Sequence, residues 1–250
     1  MLTLAVNCTK SYLKHLDVLL WSVVLSEEAG FKVYLIHDGI DVETLTAFKS
    51  KWSCLGAIVI DLDASDFILS FRLNSNFPPI CFGRLLIPKL IKKEERVLYL
   101  DIDIVVLKPL SALYDIDMLN FPIACSLDSG TGRGLSYFQN LIFPKIINAG
   151  VLLIDLENTR SHEKFTEAKR IAQSKYLKYA DQDAINRAFF DDIMILDQGW
   201  NWQKLALNED ASIKHFAHSK PWDKTCVDKA YGSYLTLAKQ YQAHTKQTEK

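Results

Sequence analysis

The sequence predicts seven short strands from runs rich in Val, Ile and Leu, at Leu2–Val6, Lys32–Ile36, Ala57–Ile60, Val97–Leu100, Ile123–Ser126, Gly150–Asp155 and Ile193–Leu196. Between them it predicts helices, at Tyr12–Glu28, Val42–Lys51, Ile80–Lys92, Glu163–Leu177, Gln182–Phe189 and Val227–Tyr241. Short β-branched runs alternating with longer stretches of helical period give a mostly parallel sheet flanked by helices, because parallel strands need a crossover between them. The expected fold is thus α/β and Rossmann-like, a single domain, and 250 residues are enough to bury its core.

Charge and cysteine usage narrow the function. Lys+Arg 29 against Asp+Glu 30 leaves a net charge of -1, which excludes a protein built to bind nucleic acid in bulk. Cys8, Cys54, Cys81, Cys125 and Cys226 are scattered without a C-x-x-C pair, so neither a zinc site nor a disulfide framework is expected. A reducing, cytoplasmic location follows. The N-terminus MLTLAVNCTKSYLKHL lacks a signal-peptide pattern, and no apolar run is long enough to span a bilayer. Membrane contact is expected to be at most peripheral, at the inner face, through the segment from Lys224 to Lys250 with its lysines and tyrosines.

Chemistry belongs where strands run into loops, since ligands of open α/β sheets bind outside the carboxyl ends of the strands. In RVLYLDIDIVVLKPL, Arg96 to Leu110, two carboxylates interrupt an apolar run. Buried unpaired acids are costly, so Asp101 and Asp103 need positive partners or solvent. Two residues apart at a strand end, they point to one side and suit a hard divalent ion that fills its shell with water and phosphate. The plain structural alternative is a capped strand end with an acid paired to Lys108 or Arg96.

Three further stretches add to this. IKHFAHSKPW supplies the imidazoles His215 and His218 and the ammonium of Lys220; a surface loop anchored by Trp222 is its plainer reading. INAGVLLIDL supplies the Asn148 amide, while Ala149 and Gly150 lack bulk and permit a close approach; a tight turn before a buried strand explains it as well. In YADQDAIN, Asp181 is a candidate helix N-cap, and Asp181 and Gln182 could equally receive sugar hydroxyls. Arg84, on an apolar helix face, needs an acid or a phosphate.

In this order and spacing, RLLIPKLI, RVLYLDIDIVVLKPL, INAGVLLIDL, DQDAIN and the HF and KPW of the last stretch resemble the family 8 retaining glycosyltransferases of the GT-A fold. That family includes bacterial lipopolysaccharide α-galactosyl- and α-glucosyltransferases and glycogenin. The resemblance runs from Leu2 to Trp222 and implies a GT-A domain over 1–222 followed by a helical tail over 223–250. It implies Mn²⁺, or Mg²⁺, held by Asp101, Asp103 and His215 on the diphosphate of UDP-galactose or UDP-glucose. Lys220 matches the lysine that meets the diphosphate, and Arg84 the arginine near the donor sugar. Asn148, Ala149, Gly150, Asp181, Gln182 and Ile102 match positions around the donor. Asn7, Thr9 and Tyr12, in VNCTKSY, stand where relatives often carry an acidic or Asx-rich stretch for the nucleoside. HFAHSKPW is one residue shorter than usual, with His218 in a glycine's place.

The implied reaction moves a hexose with retention to a glycan, glycolipid or glycoprotein hydroxyl. Either the departing phosphate oxygen takes the acceptor proton, with Lys220 assisting, or Asp181 or Gln182 attacks first in a double displacement. The acceptor is expected against Leu127–Asn140. Two other classes compete: a binding protein that keeps the donor pocket without turnover, and a nucleotidyltransferase, for which the Gly-rich and basic first loop is missing.

Overall fold

A computed structural model describes residues 1–71, 77–129, 146–174 and 177–248. Seven strands form one sheet in the order β3-β2-β1-β4-β7-β6-β8. They are β1 (Thr3–Cys8), β2 (Phe31–His37), β3 (Ala57–Asp63), β4 (Arg96–Leu100), β6 (Ile123–Ser126), β7 (Val151–Asp155) and β8 (Ile193–Leu196). All seven predicted strands form, within about two residues, save that β3 runs on to Asp63. The pairs β1–β2, β2–β3, β1–β4 and β6–β8 are parallel, whereas β7 runs antiparallel to both β4 and β6. That reversal brings the amino end of β7 to the carboxyl end of β4, where Asp101 N donates to Gly150 O at 2.8 Å. INAG thus reaches the site from before its strand.

Period-two alternation divides the core into two layers. Val97 and Tyr99 face the side covered by α3 (Thr159–Ser174) and α4 (Ala180–Phe189), packing with Phe82, Phe165 and Phe189. Leu98 and Leu100 face α1 (Leu13–Ser26) and α2 (Val42–Ser53), with Leu16, Leu20, Phe48 and Trp52. Such buried leucines contribute roughly 1.5–3 kcal/mol each.

Three expectations are corrected. The helix read over Ile80–Lys92 is a 3₁₀ segment, Pro79–Leu86, running into a single turn at Ile87–Leu90. Pro88 has no N–H to give Arg84 O, which instead accepts from Ile87 N; Cys81 O is taken by the side chains of Asn7 and Arg84. The last helix, α5 (Tyr231–Thr248), starts later than Val227 because Asp228 ends a capped turn: its Oδ1 accepts from Ala230 N and its Oδ2 pairs with Lys214 at 2.7 Å. The stretch after the two acids is also a strand, β5 (Ile104–Val106), pairing antiparallel with β9 (Ile213–His215), so His215 sits on a strand rather than in a loop.

Through Tyr234 and Tyr241, α5 packs on the domain, where Tyr241 stacks on Trp52 at 5.5 Å and Tyr234 joins Val18, Val105 and Phe216. Among the described residues no helix is long and apolar enough to cross a membrane.

Candidate active site

Beyond the carboxyl end of β4 the chain turns at Ile102 and Asp103 and enters β5, which pairs with β9 in a second, two-stranded sheet. Ile104 is paired with His215, and Phe216 N donates to Asp103 O at 2.9 Å, so the acids and the imidazole share one rigid frame. Ile102 packs its side chain toward the core. One ligand atom from each of Asp101, Asp103 and His215 lies within 4.8 Å of the others, and no other such group of three His, Cys, Asp or Glu occurs among the described residues.

Each carboxylate gives one oxygen to the protein and turns the other to the histidine. Asp101 Oδ1 accepts from Tyr99 OH at 2.7 Å and Arg84 Nη2 at 2.8 Å, while Oδ2 lies 3.8 Å from His215 Nε2. Asp103 Oδ2 is bound by Lys220 Nζ, while Oδ1 lies 3.4 Å from His215 Nε2. Burial raises the Asp103 pKa, but the Lys220 ammonium outweighs it and the carboxyl is held well below its ordinary range. Burial disfavours the Lys220 charge, and Asp103 overrides that to keep the ammonium pKa raised. Lys108 and Arg96, the plain partners for these acids, instead donate to the carbonyls of Asp210 and of Tyr114 and Ile116.

Arg84 is buried and takes acids, not one but two. Nη2 reaches Asp101, Nε lies 2.7 Å from Asp181 Oδ2, Nη1 donates to Ala149 O at 2.5 Å, and the guanidinium lies over the Tyr99 ring at 4.5 Å. Burial nevertheless pushes the Asp181 pKa up to about 6, against Arg84 and helped by the Asp101 charge. Asp181 is not the N-cap of α4. It lies inside the first turn, 4 % exposed, and Asp183 Oδ2 accepts from Tyr179 N in its stead.

Gln182 Oε1 accepts from Ala149 N at 3.2 Å, and its Nε2 donates to Asp128 Oδ2 at 2.9 Å. Gly150 makes room for protein: a Cβ there would collide with the His215 ring and stand 2.9 Å from Asp101 Oδ2. Asn148 Oδ1 accepts from Gly150 N and from Asn201 Nδ2, both at 3.0 Å.

On the β1 side, Asn7 turns inward, Nδ2 to Cys81 O at 3.2 Å, with its Oδ1 against Gly83. Thr9 Oγ1 shares a hydrogen bond with Ser11 Oγ, and Lys10 pairs with Asp41. Tyr12 stands exposed, edge-on to Trp222 at 5.8 Å, and His15 stacks on the same indole at 4.0 Å. His218 is exposed and outside the converging group. Of the loop read as the acceptor side, 130–140 lie outside the described residues.

Sequence reasoning missed Tyr99, Asn201 and the buried Lys214–Asp228 pair. Tyr99 was legible in principle, two residues before Asp101 and hence on the same side of the strand. Asn201 carries no local signal, because its partners are Asn148, just before β7, and His215 on β9.

The family model described as "Glycosyl transferase family 8" matches residues 3–226. General stress protein A of Bacillus subtilis is 25% identical over 248 residues, covering 87% of this chain and 86% of its own length. Glycosyltransferase GlyB of Streptococcus pneumoniae is 24% identical over 239 residues; the match covers 87% of this chain and 56% of that one. Among solved structures, the galactosyltransferase LgtC in complex with donor and acceptor sugar analogs superimposes with a TM-score of 0.79 at 23% identity, covering 96% of each chain. At that identity the likeness establishes a shared fold.

Proposed function

The chain belongs to glycosyl transferase family 8, and from that premise we propose that it moves galactose or glucose, with retention, from a UDP-sugar to a hydroxyl of a glycan, glycolipid or glycoprotein. Family membership makes it a glycosyltransferase, and its fold is GT-A. The observation that carries the finer reading is the convergence of Asp101 Oδ2, Asp103 Oδ1 and His215 Nε2. Three electron-pair donors brought together repel one another unless a cation lies between them, and two carboxylate oxygens with one imidazole suit Mn²⁺. Asp101, Asp103 and His215 would hold that ion. When bound, a divalent cation supplies charge stabilisation to a departing diphosphate.

The chain's own residues divide the remaining work. Lys220, 41% exposed beside Asp103, is the cation able to turn toward a diphosphate. Arg84 stays buried and fixes Asp101 and Asp181. Asn148, Ala149, Gly150, Asp181, Gln182 and the backbone of Ile102 surround the donor sugar. Asn7, Thr9 and Tyr12 border the nucleoside. Asp181 is committed to Arg84, and Gln182 Oε1 to Ala149 N, which supports attack from the face that UDP leaves, the phosphate oxygen taking the acceptor proton. The complex of LgtC with donor and acceptor sugar analogs supports a donor and an acceptor side in one cleft here. Five unpaired cysteines support work in the cytoplasm, with at most peripheral contact at the membrane's inner face.

The test is UDP release from UDP-galactose and UDP-glucose, with Mn²⁺ and with chelator, for the wild type, Asp101→Ala and Asp103→Ala. Release that needs the ion and falls on the order of 10³-fold in either variant is expected. Full activity in Asp103→Ala would overturn the metal role. UDP binding without turnover against a broad acceptor panel would instead favour a retired, sugar-nucleotide-binding protein.

A further inference from the structure

The tautomer of His215 follows from a chain of hydrogen bonds that begins at a backbone amide. Gly150 N–H can only donate, and it donates to Asn148 Oδ1 at 3.0 Å. The same oxygen accepts from Asn201 Nδ2 at 3.0 Å. An amide that donates through Nδ2 turns its oxygen the other way, and Asn201 Oδ1 lies 2.9 Å from His215 Nδ1. That oxygen only accepts, so Nδ1 carries the proton. In the neutral ring Nε2 is then the bare lone pair, and Nε2 is the atom 3.4 Å from Asp103 Oδ1 and 3.8 Å from Asp101 Oδ2.

We infer that Asn201 is a positioning residue that locks His215 as the Nδ1–H tautomer, keeping Nε2 free as a donor atom toward the two aspartates. Its value for metal binding rests on the reading of Asp101, Asp103 and His215 as a divalent centre. The opposite tautomer would donate Nε2–H to Asp103, using up the ligand atom, and would set the Nδ1 lone pair against Asn201 Oδ1. Turning the Asn201 amide over to relieve that clash would set two oxygens together at Asn148. Escape through solvent is closed, since Asn148, Asn201 and His215 are 7%, 0% and 3% exposed.

The support under Asn201 is rigid for the same purpose. It ends the 3₁₀ turn Gln198–Asn201, which starts with Asp197 Oδ1 accepting from Gly199 N at 2.7 Å. Next to it, Trp202 N donates to Ile213 O and His215 N to Trp202 O, both at 3.0 Å, tying the turn to the strand that bears the histidine. Gln203 Nε2 donates to Asn201 O at 3.2 Å. An outer group that holds a metal-binding histidine in one tautomer is typically worth about 10–100-fold in metal affinity.

The first measurement is the ¹⁵N spectrum of the histidine side chains in the metal-free full chain, followed upward in pH until the spectrum shows that the His215 ring has lost one of its two protons. For wild-type His215, assigned against His215→Gln, a protonated Nδ1 and a bare Nε2 are expected. Asn201→Leu, which keeps size and removes the acceptor, should admit the Nε2–H form and weaken Mn²⁺ binding, followed by electron paramagnetic resonance, by about 10–100-fold. Wild-type His215 carrying its proton on Nε2 would overturn the inference, and this readout needs no variant to fold. So would an Asn201→Leu protein that binds Mn²⁺ within twofold of wild type. A wild-type chain that binds no divalent ion would bring down the metal centre instead, with the spectrum still deciding the tautomer.

Discussion

The two ends of β4 treat their acids in opposite ways. Just before the strand, Glu94 is closed off by its neighbours: Lys32 Nζ at 2.5 Å, Tyr34 OH at 2.7 Å and Thr3 Oγ1 at 3.4 Å. Burial works against its charge, yet Lys32 and Tyr34 hold its pKa below the ordinary value. One carboxylate meets one cation. Just after the strand, three carboxylates, Asp101, Asp103 and Asp181, share two lysine or arginine cations, Arg84 and Lys220, with the His215 ring beside them. Burial raises the Asp181 pKa to about 6, and the neighbouring Asp101 charge adds to it. A structural acid is balanced by its own chain, whereas this group has one more carboxylate than it has lysine or arginine partners, a difference that a bound cation would make up.

The largest effect that would sharpen this contrast comes from removing a cation from the end already short of charge. Arg84→Leu strands Asp101 and Asp181 in a buried setting, and stability should fall by about 3–5 kcal/mol, measured by urea unfolding. Adding Asp181→Asn should return part of that loss, because one stranded charge goes. If Arg84→Leu cost less than about 1 kcal/mol, the acids would have another route to neutrality and the count above would be wrong.

Much of this was readable in the residues. All seven strands of the sheet announce themselves as short apolar runs rich in Val, Ile and Leu set between stretches of helical period. The Arg84 requirement for an acid was legible too: a guanidinium on an apolar face must be paired wherever it lies. What stayed hidden depends on direction and on partners distant in sequence. Nothing local in GVLLID says that β7 runs antiparallel, yet that reversal is what carries Gly150 to Asp101. Val105 and Lys214 belong to strands of three residues, too short for a period, and pair only because residues more than a hundred positions apart meet. The lack of bulk at Gly150 was legible, but that a Cβ there would meet His215 and Asp101 was not, since no single sequence position contains those contacts.

Asp181 gives the next effect, in pH. Its native pKa of about 6 lies above the ordinary carboxylate value, so between about pH 4 and 6 the folded chain holds a proton that the unfolded chain has released. Stability from this group is therefore present below that window and is lost as pH rises through it, by at most about 3 kcal/mol for a two-unit shift. Asp181→Asn should remove that component. Unfolding free energies of the variant and the wild type, compared at pH 4.5 and 7, should differ by more at pH 7, with the variant gaining. A difference that does not change with pH would mean that Asp181 is ionised throughout, and the shortage would then fall on Asp101 or Asp103.

The smallest effect belongs to the balanced end. Glu94→Gln keeps the shape of the side chain and removes its charge, leaving Lys32, 24% exposed, to find water. Hydrogen bonds to a charged group are typically worth 1.5–3 kcal/mol, so a loss of about 2 kcal/mol is expected in urea unfolding. Neither donor turnover nor Mn²⁺ affinity should move by more than about twofold, because β4 itself, Arg96–Leu100, lies between Glu94 and Asp101. The informative outcome is the mismatch between the two readouts: stability falls while chemistry does not. A tenfold drop in turnover with intact folding would show that the two ends of the strand are coupled, and that the charge shortage at Asp101 cannot be counted without Glu94.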